Sequence, residues 1–511
     1  MDNVAKEAIE PSEEMAAQQA AMQAPEDTLA LVRDLCVELE EQQIQYCHWK
    51  STTAIHRSHN GLNDLDLLIS RADSARFHAI LSKMGFKEAP SPEDKEQPGI
   101  VSYYGFDRPS GLIIHVHAHY TLVMGNDFSK NYHIPFERAY LENSYQQGLF
   151  RLPAPEMEFI ALVIRMVLKH STWDTMLTGL GNLSQSEMGE LIDLQQRADP
   201  QKAAALLEKH LPFIPLEVFQ AGHRAIQPGA PALARMQAGA ALLKALRGHA
   251  RSSPVSDVLR KIVTRSRQGL KRRFGKLPKH RMATGGAIIA VVGGDGAGKT
   301  TAIESTYKWL SKYYDVTRLH MGKPDWAPTT KIIRGVLKVG QVLGFYKYVH
   351  TPFEAAIEGK TVPFPGYPWL IRQVLFSRDR YLTYCKARRL ASNGQLVICD
   401  RFPLKGVMMM DGPQAERMTR TIKRNWLVNK LIALENSYYQ QMMTPELLIV
   451  LRLHPDLAVA RKTEESASSV RPRSEEIWKM DWTGTRARLI DSSQPKADVL
   501  AEIKSLIWES L

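Results

Sequence analysis

The first half of the chain alternates between two kinds of apolar spacing. Apolar residues over 29–39 recur at helical intervals and predict the first packed helix. Residues 61–86 have the order of turn, strand and helix, with the strand over 65–69. Apolar and polar positions alternate over 111–119 and predict a second strand, while an apolar stripe over 155–211 predicts a helical bundle behind the sheet.

The second half repeats a different pattern. Short apolar runs over 287–292, 396–399, 447–453 and 488–490 predict buried strands, and helical spacing over 499–507 predicts the last helix. Strands and helices that alternate in this way form a mostly parallel sheet with flanking helices. We therefore expect an α/β domain in this half, preceded by an α+β domain and a helical bundle.

The length and local composition refine this division. A chain of 511 residues is long enough for two or three domains. Residues 1–27, rich in Ala, Gln and Glu, are predicted to be a flexible tail. We expect an α+β domain over 28–150, a helical subdomain over 151–235, a basic linker over 236–285 and the α/β domain over 286–511.

The net charge and the cysteines limit the expected partners and the expected cellular location. The net charge of +12 indicates an anionic partner, and nucleotides, nucleic acid, an anionic glycolipid and a membrane surface all fit. The four cysteines lack metal-ligand spacing and favour a reducing cytoplasm. Neither a signal peptide nor an apolar span is visible. We expect a cytoplasmic protein without a transmembrane segment, with peripheral contact at the inner membrane as a further option.

Residues 260–281 are strongly basic. They hold ten Lys or Arg and no acidic residue. A solvated linker is the simpler interpretation. A surface for anionic lipid, glycan or nucleic acid is the alternative.

Residues 293–301 read Gly-Gly-Asp-Gly-Ala-Gly-Lys-Thr-Thr, between a predicted strand and a predicted helix. Glycines in this order let successive N–H groups face phosphate oxygens at a helix N-terminus. A lysine at this position reaches the β and γ phosphates, and the threonine hydroxyl after it ligates Mg²⁺. The simpler alternative is a glycine-rich turn. The predicted ATP and Mg²⁺ site comprises Gly293, Asp295, Gly296, Gly298, Lys299, Thr300 and Thr301.

A second motif follows the predicted strand 396–399. Asp400 and Arg401 come where a parallel sheet opens at its carboxyl edge, the edge at which the phosphate loop also lies. Asp400 is therefore a candidate for holding Mg²⁺ or its water, and Arg401 for neutralising a phosphate. Away from such a loop, an Asp-Arg pair is usually a surface salt bridge.

Together with the ending Leu-Ile-Asp-Ser-Ser-Gln-Pro at 489–495, these motifs resemble thymidylate kinase over about the last 225 residues. The resemblance implies that Asp295 contacts the sugar of the acceptor nucleotide and that Arg401 contacts its phosphate. It also implies that Arg380, after Phe376 and Asp379, faces the acceptor base; an exposed helix face is the alternative for Asp379 and Arg380. A flexible lid is implied over 461–473, with Arg473 and Arg471 as the arginines that reach ATP; a plain surface loop is the alternative.

Two departures concern the acceptor side. Thymidylate kinases carry Glu-Pro-Gly-Gly after the second strand, whereas residues 320–324 here read His-Met-Gly-Lys-Pro. An additional stretch, residues 325–368, is rich in apolar and basic residues. The donor half therefore fits the family, while the identity of the acceptor stays open.

The N-terminal half carries a second, weaker resemblance. His-Trp-Lys-Ser at 48–51 and Asp64-Leu-Asp66 resemble the minimal nucleotidyltransferase branch, which implies that Asp64 and Asp66 bind two metal ions. A third carboxylate is missing, because His115 stands where relatives carry Asp, and Lys50 replaces a Gly. A degenerate binding domain is therefore favoured. The histidines at 115, 117 and 119 share one face, for which a polar lining is favoured over a metal site.

The leading interpretation is an ATP- and Mg²⁺-dependent kinase of the thymidylate kinase-like class acting on a nucleoside monophosphate or a related phosphorylated acceptor. One alternative is a kinase for a sugar, glycolipid or surface-polysaccharide precursor. Another is an ATP-switched regulatory or defence protein with an N-terminal effector domain. A homodimer is a further partner to consider.

Overall fold

The computed structural model describes residues 25–91, 98–172, 182–274, 279–347, 363–404, 407, 412–420 and 422–511. The chain divides into two compact units, Met1–Pro278 and Lys279–Leu511. Most of the expected flexible tail, residues 1–24, lies outside the described residues.

The first unit contains a mixed five-stranded sheet in the order β1-β2-β5-β4-β3, in which β2 and β5 are parallel and the other neighbours antiparallel. The strands predicted over 65–69 and 111–119 are β2 and β5. Two small antiparallel sheets, β6-β7 and β8-β9, complete the strands of this unit. The strands are β1 Tyr46–His48, β2 Leu65–Ile69, β3 Lys87–Glu88, β4 Ile100–Asp107, β5 Leu112–His119, β6 Val123–Met124, β7 Tyr132–His133, β8 Ser144–Gln147 and β9 Phe150–Pro153.

The helices of the first unit are α1 Ala30–Glu41, α2 Ile55–Ser58, α3 Ser74–Lys83, α4 Glu137–Glu142, α5 Pro155–His170, α6 Gln185–Arg197, α7 Pro200–His210, α8 Leu216–Ala225, α9 Ala232–Ala245 and α10 Pro254–Arg273. Helix α1 confirms the helix predicted over 29–39. Helix α5 is apolar nearly all round and forms the centre of the bundle, as expected for a helix buried on every side. The segment 236–285, expected to be a linker, contains most of α9 and all of α10.

The second unit contains a five-stranded sheet in the order β11-β12-β10-β13-β14, with every neighbouring pair parallel. This confirms the parallel α/β sheet expected from the alternating pattern. Strand β10 lies at the centre, and all six of its residues are buried. The strands are β10 Ile288–Gly293, β11 Val316–His320, β12 Leu396–Asp400, β13 Leu447–Arg452 and β14 Ala487–Asp491.

The helices of the second unit are α11 Lys299–Leu310, α12 Pro328–Val342, α13 Tyr367–Ser392, α14 Ala415–Met418, α15 Trp426–Gln440, α16 Pro455–Arg461, α17 Ala467–Lys479 and α18 Lys496–Ser510. Helix α12 occupies the start of the additional stretch 325–368, of which residues 348–362 lie outside the described residues. Within the ranges that the structure describes, no helix combines the length and apolar character needed to cross a bilayer.

Candidate active site

The phosphate loop connects the central strand β10 to helix α11. Gly296 and Gly298 have φ angles of 75° and 83°, the left-handed region in which glycine is favoured. The loop is also closely packed, because a Cβ on Gly293 would lie 2.7 Å from the Leu451 carbonyl oxygen and one on Gly294 would lie 2.9 Å from Ser474 Cα. The glycines therefore meet both a conformational and a steric requirement, which a plain glycine-rich turn does not explain.

Lys299 is the first residue of helix α11 and folds back over the loop. Its Nζ donates to the carbonyl oxygens of Gly293 at 3.0 Å and Gly294 at 2.6 Å. Burial, and next the positive charge of Arg401, lower the pKa of Lys299 to about 8. Burial and Arg401 outweigh the favourable charges of Asp295 and Asp400, so the ammonium against the loop is destabilised overall, and a phosphate placed there would stabilise it.

We expect the affinity for ATP to fall as the pH rises from 7 to 9. The phosphates bind the ammonium form of Lys299 and raise its pKa, so the complex keeps a proton that the free protein loses above about pH 8. Affinity is then nearly constant below pH 7 and weakens by about tenfold at pH 9, since each pH unit above the pKa removes a factor of ten of the binding form. Calorimetric titration with ATP at each pH measures this.

The control is Lys299→Arg, whose guanidinium does not titrate in this range. Any ATP affinity that this variant retains should be independent of pH between 7 and 9. An equal pH dependence in both proteins would assign the effect to another group.

Strand β12 brings Asp400 and Arg401 to the edge at which the phosphate loop begins. Asp400 pairs in register with Val291 of β10 and with His320 of β11. Arg401 follows with a φ of 66°, and its backbone N–H donates to the Val291 carbonyl oxygen at 3.1 Å. A left-handed conformation costs a non-glycine residue about 1–2 kcal/mol. Such strain is concentrated at functional sites, and here it occurs at the residue predicted to bind phosphate.

Asp400 also faces the altered acceptor loop. Its Oδ2 lies 3.9 Å from His320 Nε2, at the start of the His-Met-Gly-Lys-Pro segment. The Asp400 carboxylate and the exposed Thr300 hydroxyl are oxygen donors, the class that Mg²⁺ prefers. These two residues therefore fit the expected Mg²⁺ by donor type.

Asp295 and Arg473 form an ion pair across the loop. Arg473 Nη1 lies 2.9 Å from Asp295 Oδ2 and 3.3 Å from Glu465 Oε2. Burial by itself would raise the pKa of Asp295, but the hydrogen bond from Arg473 and the charge of Lys299 outweigh it and hold that pKa below its usual value. Asp295 is therefore an ionised, buried carboxylate, with Arg473 directly against the ATP loop.

The expected lid arginines lie in a helix. Arg471 and Arg473 belong to α17, and the intervening Pro472 is inside it. Arg471 turns away and pairs with Asp456 at 2.6 Å. Of the two arginines, the structure therefore brings Arg473 to Asp295 and Arg471 to Asp456.

Arg380 is buried in α13 and contacts the segment 320–324. Its Nε donates to the Met321 carbonyl oxygen at 3.0 Å, its Nη1 to the Tyr439 hydroxyl at 2.6 Å, and its guanidinium lies 4.4 Å from the Phe376 ring centre. Its contact with an acceptor base stays a prediction. Tyr439 was not singled out from the sequence, because nothing in its spacing relates it to a residue 59 positions away.

The additional stretch is anchored beside this arginine. Thr330, in the first turn of α12, donates to Asp379 Oδ1 at 2.9 Å, and Arg378 donates to the hydroxyls of Thr329 and Thr330 at 2.6 and 2.8 Å. Helix α12 therefore begins at the α13 residues expected on the acceptor side.

A second cluster of polar side chains lies in the first unit. Asp66 on β2 is opposite His117 on the parallel strand β5. Lys50 Nζ lies 2.9 Å from Asp66 Oδ1, and His117 and His119 each place a ring nitrogen 3.3 Å from the same oxygen. Burial raises the pKa of Asp66, but Lys50 and the two imidazoles hold it well below its usual value.

This set does not fit the two Mg²⁺ ions that the nucleotidyltransferase resemblance implies. Mg²⁺ takes oxygen ligands, whereas Asp66 is bound by an ammonium and by imidazoles. The position opposite it carries His117 in place of a carboxylate. Asp64 and Asp66 both lie near His117, in surroundings unlike those of a paired Mg²⁺ site.

A cavity of about 820 Å³ adjoins Lys50. Several cations line it, but Arg165 pairs with Glu190 at 3.0 Å and Lys169 with Glu187 at 2.8 Å. The lining is thus polar and partly charge-balanced. Its charged residues come from separate helices and loops, so no local sequence spacing could reveal them.

The chain is similar to several curated proteins. YghR of Escherichia coli strain K12, an uncharacterised ATP-binding protein, is 30% identical over 226 residues, which are 43% of this chain and 86% of YghR. YghS from the same strain, also an uncharacterised ATP-binding protein, is 25% identical over 222 residues, 42% of this chain and 89% of YghS.

A thymidylate kinase of Symbiobacterium thermophilum is 25% identical over 237 residues, 44% of this chain and 94% of that enzyme. The matched lengths are close to that of the unit Lys279–Leu511, which carries the phosphate loop. No protein-family profile matches the chain.

Proposed function

Because the chain belongs to the family of ATP-binding proteins that includes YghR, with a kinase-like P-loop region, we propose that its second unit is an ATP- and Mg²⁺-dependent kinase. It transfers the γ-phosphoryl group to a nucleoside monophosphate or a related phosphorylated acceptor. The observation that carries this proposal is the placement of Lys299 and the strained Arg401 at one edge of the parallel sheet. Lys299 is the one cation that the loop needs for the phosphates of ATP. Arg401 is a second cation, held there at a cost in backbone strain, and it suits the phosphate of the acceptor.

The residues act by position and charge. Loop N–H groups and Lys299 hold the β and γ phosphates, while Arg401 binds the acceptor phosphate so that one of its oxygens attacks the γ phosphorus. The bond from that phosphorus to the β–γ bridging oxygen breaks, and ADP leaves. Arg473 stabilises charge on the transferring group. Thr300 and Asp400 would hold Mg²⁺, which would supply positive charge to neutralise the phosphates.

The direct experiment measures ADP formed by the full chain against a panel of acceptors: the nucleoside monophosphates, sugar phosphates and phosphorylated lipids. The proposal requires ADP and phosphorylated acceptor in equal amounts with at least one of them. ATP turnover at one rate with every acceptor and with none would refute it and favour the ATP-switched regulatory protein.

The kinase for a lipid-borne acceptor is the second candidate, and helix α12 favours it. Ile332, Val336 and Val339 lie on one face of this helix and are 66%, 66% and 57% exposed. Residues 326–353 hold four Lys or Arg and no acidic residue. An exposed apolar stripe with basic flanks is the pattern of a helix that lies on an anionic membrane, and this helix begins beside the expected acceptor residues.

Helix α10 of the first unit has a similar character. Leu259, Ile262 and Leu270 are 57%, 57% and 60% exposed within the basic segment 260–281 or next to it. Neither a glycan nor a nucleic-acid backbone requires an exposed row of leucine and isoleucine, so among the anionic partners expected here we favour lipid. Peripheral contact of a cytoplasmic protein with the inner membrane is the proposed setting.

We expect the protein to bind vesicles that contain anionic lipid, and Val336→Glu to weaken that binding by about tenfold. The loss of one buried valine, about 1.5 kcal/mol, is enough for this factor. Vesicle co-sedimentation measures it. Leu62→Glu is the control, because Leu62 is equally exposed at 66% but lies outside both helices. Equal binding of the two variants, or equal binding to neutral vesicles, would remove the membrane candidate.

For the first unit, we propose a nucleotidyltransferase-like fold that serves as a binding domain. The surroundings of Asp66 argue against paired-Mg²⁺ chemistry. The strand arrangement that brings Asp64 and Asp66 beside β5 supports the fold. If Asp64→Ala and Asp66→Ala leave every measured activity unchanged, this domain is not catalytic.

A further inference from the structure

The imidazoles near Asp64 and Asp66 do not suit Mg²⁺, but they suit a different metal ion. Three side chains, Asp64 directly before β2 and His115 and His117 on β5, each place one possible ligand atom within 4.8 Å of the other two. The Nδ1 atoms of both histidines face the Asp64 carboxylate. The sequence alone favoured a polar lining for these histidines, because one strand supplied no further ligand. The fold supplies it by placing Asp64, at the start of β2, beside them.

The distances fit a metal site, and the shorter of them also lies within hydrogen-bonding reach. His115 Nδ1 lies 3.2 Å from Asp64 Oδ1, and His117 Nδ1 lies 3.7 Å from Asp64 Oδ2. A charge-assisted hydrogen bond is roughly 2.7–2.9 Å long. Ligand atoms that share a tetrahedral ion at about 2.0–2.1 Å lie roughly 3.3–3.4 Å apart. The two separations, 3.2 and 3.7 Å, lie on either side of the tetrahedral value, and the longer one is outside the range of a normal hydrogen bond.

A second, overlapping triad consists of Asp66, His117 and His119. Lys50 decides against it, because its ammonium lies 2.9 Å from Asp66 Oδ1, the oxygen that both imidazoles face. A divalent ion bound to that oxygen would have to displace Lys50 or tolerate a cation beside it. Among the ion pairs of the described residues, Asp64 has no lysine or arginine partner. It pairs with His115 and His117.

We propose that Asp64, His115 and His117 bind one divalent transition-metal ion of the zinc class. Imidazole nitrogens suit zinc, iron, nickel and copper, whereas Mg²⁺ and Ca²⁺ select oxygen. Two imidazoles and one carboxylate leave at least one coordination position for water or a ligand, as in open zinc sites. The Asp64 side chain is about half exposed, so an exchangeable ion can reach it. Lys50 neutralises Asp66 next to the ion.

Zinc titration of the full chain, first stripped with a chelator, tests the site. We expect one Zn²⁺ per chain, bound in the presence of millimolar Mg²⁺, and visible absorption bands on replacement by Co²⁺. Asp64→Asn and His117→Gln should each weaken Zn²⁺ binding by at least about 10–100-fold. Removing a residue that only hydrogen-bonds to a metal ligand already weakens binding by this factor, and these two residues are ligands themselves.

His133→Gln is the control, because His133 also pairs with a carboxylate, Glu137 at 2.8 Å, but belongs to another sheet. It should bind Zn²⁺ like the parent. Unchanged binding in Asp64→Asn, or stoichiometric displacement of Zn²⁺ by Mg²⁺, would overturn the proposal.

His119→Gln distinguishes the two triads. It should leave Zn²⁺ affinity within about threefold of the parent, since the loss of a true ligand costs tenfold or more. If His119→Gln loses the ion and Asp64→Asn retains it, the ion belongs to Asp66 and our placement is wrong. Asp64→Asn alters a half-exposed side chain, so this variant gives a result even if a variant of the half-buried His117 or of the buried His119 does not fold.

Discussion

Lys299→Ala should reduce acceptor-dependent ADP formation by at least about 10²–10³-fold, the usual cost of removing one charged donor from a transferring group. Its ammonium is held against the carbonyl oxygens of Gly293 and Gly294, at the position at which phosphates would replace them. Steady-state kinetics at saturating ATP measure the loss.

The control for this variant lies on the same helix. Lys308 pairs with Glu304 at 2.8 Å and is largely exposed, and exposed pairs contribute only about 0–1 kcal/mol to stability. Lys308→Ala should therefore keep full activity. Retention of more than a tenth of the activity in Lys299→Ala would contradict its role in the proposed kinase.

Arg401→Gly should separate stability from activity. Glycine removes the strain of a φ of 66°, about 1–2 kcal/mol. This relief offsets the interactions that the guanidinium makes in the parent, so the free energy of unfolding should stay within ~1 kcal/mol of the parent value. The cation beside Lys299 is removed, and we expect kcat/KM for the phosphorylated acceptor to fall by about 10²–10³-fold. Denaturant unfolding and acceptor kinetics provide the two measurements.

Arg401→Ala is the matched variant, since it lacks the same guanidinium but keeps the left-handed strain. It should be as inactive as Arg401→Gly and less stable by about 1 kcal/mol. A glycine variant with near-parental activity would assign Arg401 to structure alone.

The sequence predicted those parts of the site that are local. Strand, glycine loop, lysine and helix are contiguous over residues 287–310, so apolar spacing and one motif are enough to place them. Asp400 and Arg401 were also predictable, because parallel strands present their carboxyl ends at one edge. In the first unit, the alternation over 111–119 revealed β5 in the same way.

Contacts between distant segments were not predictable. The resemblance implies a flexible lid that brings both Arg471 and Arg473 to ATP. In a helix, however, residues two positions apart are rotated by about 200° from each other and face opposite sides. The sequence shows neither that residues 467–479 are helical nor which face meets Asp295.

Strand β4 was missed for another reason. It contains Gly105, a residue that usually weakens a strand. In the structure a Cβ at this position would lie 2.5 Å from the Phe86 ring, so the glycine is required by close packing. That reason exists only once the sheet has formed.

The pairing of Arg473 with Asp295 has a consequence for wasteful hydrolysis. This guanidinium lies 2.9 Å from the Asp295 carboxylate. An acceptor that hydrogen-bonds to Asp295 would compete for that carboxylate and free Arg473 for the γ-phosphate. A water molecule can hydrogen-bond to the carboxylate, but it has no further anchor with which to displace the guanidinium. A kinase built this way would leave ATP intact until its proper partner arrives, and would show substrate synergism in place of a background ATPase.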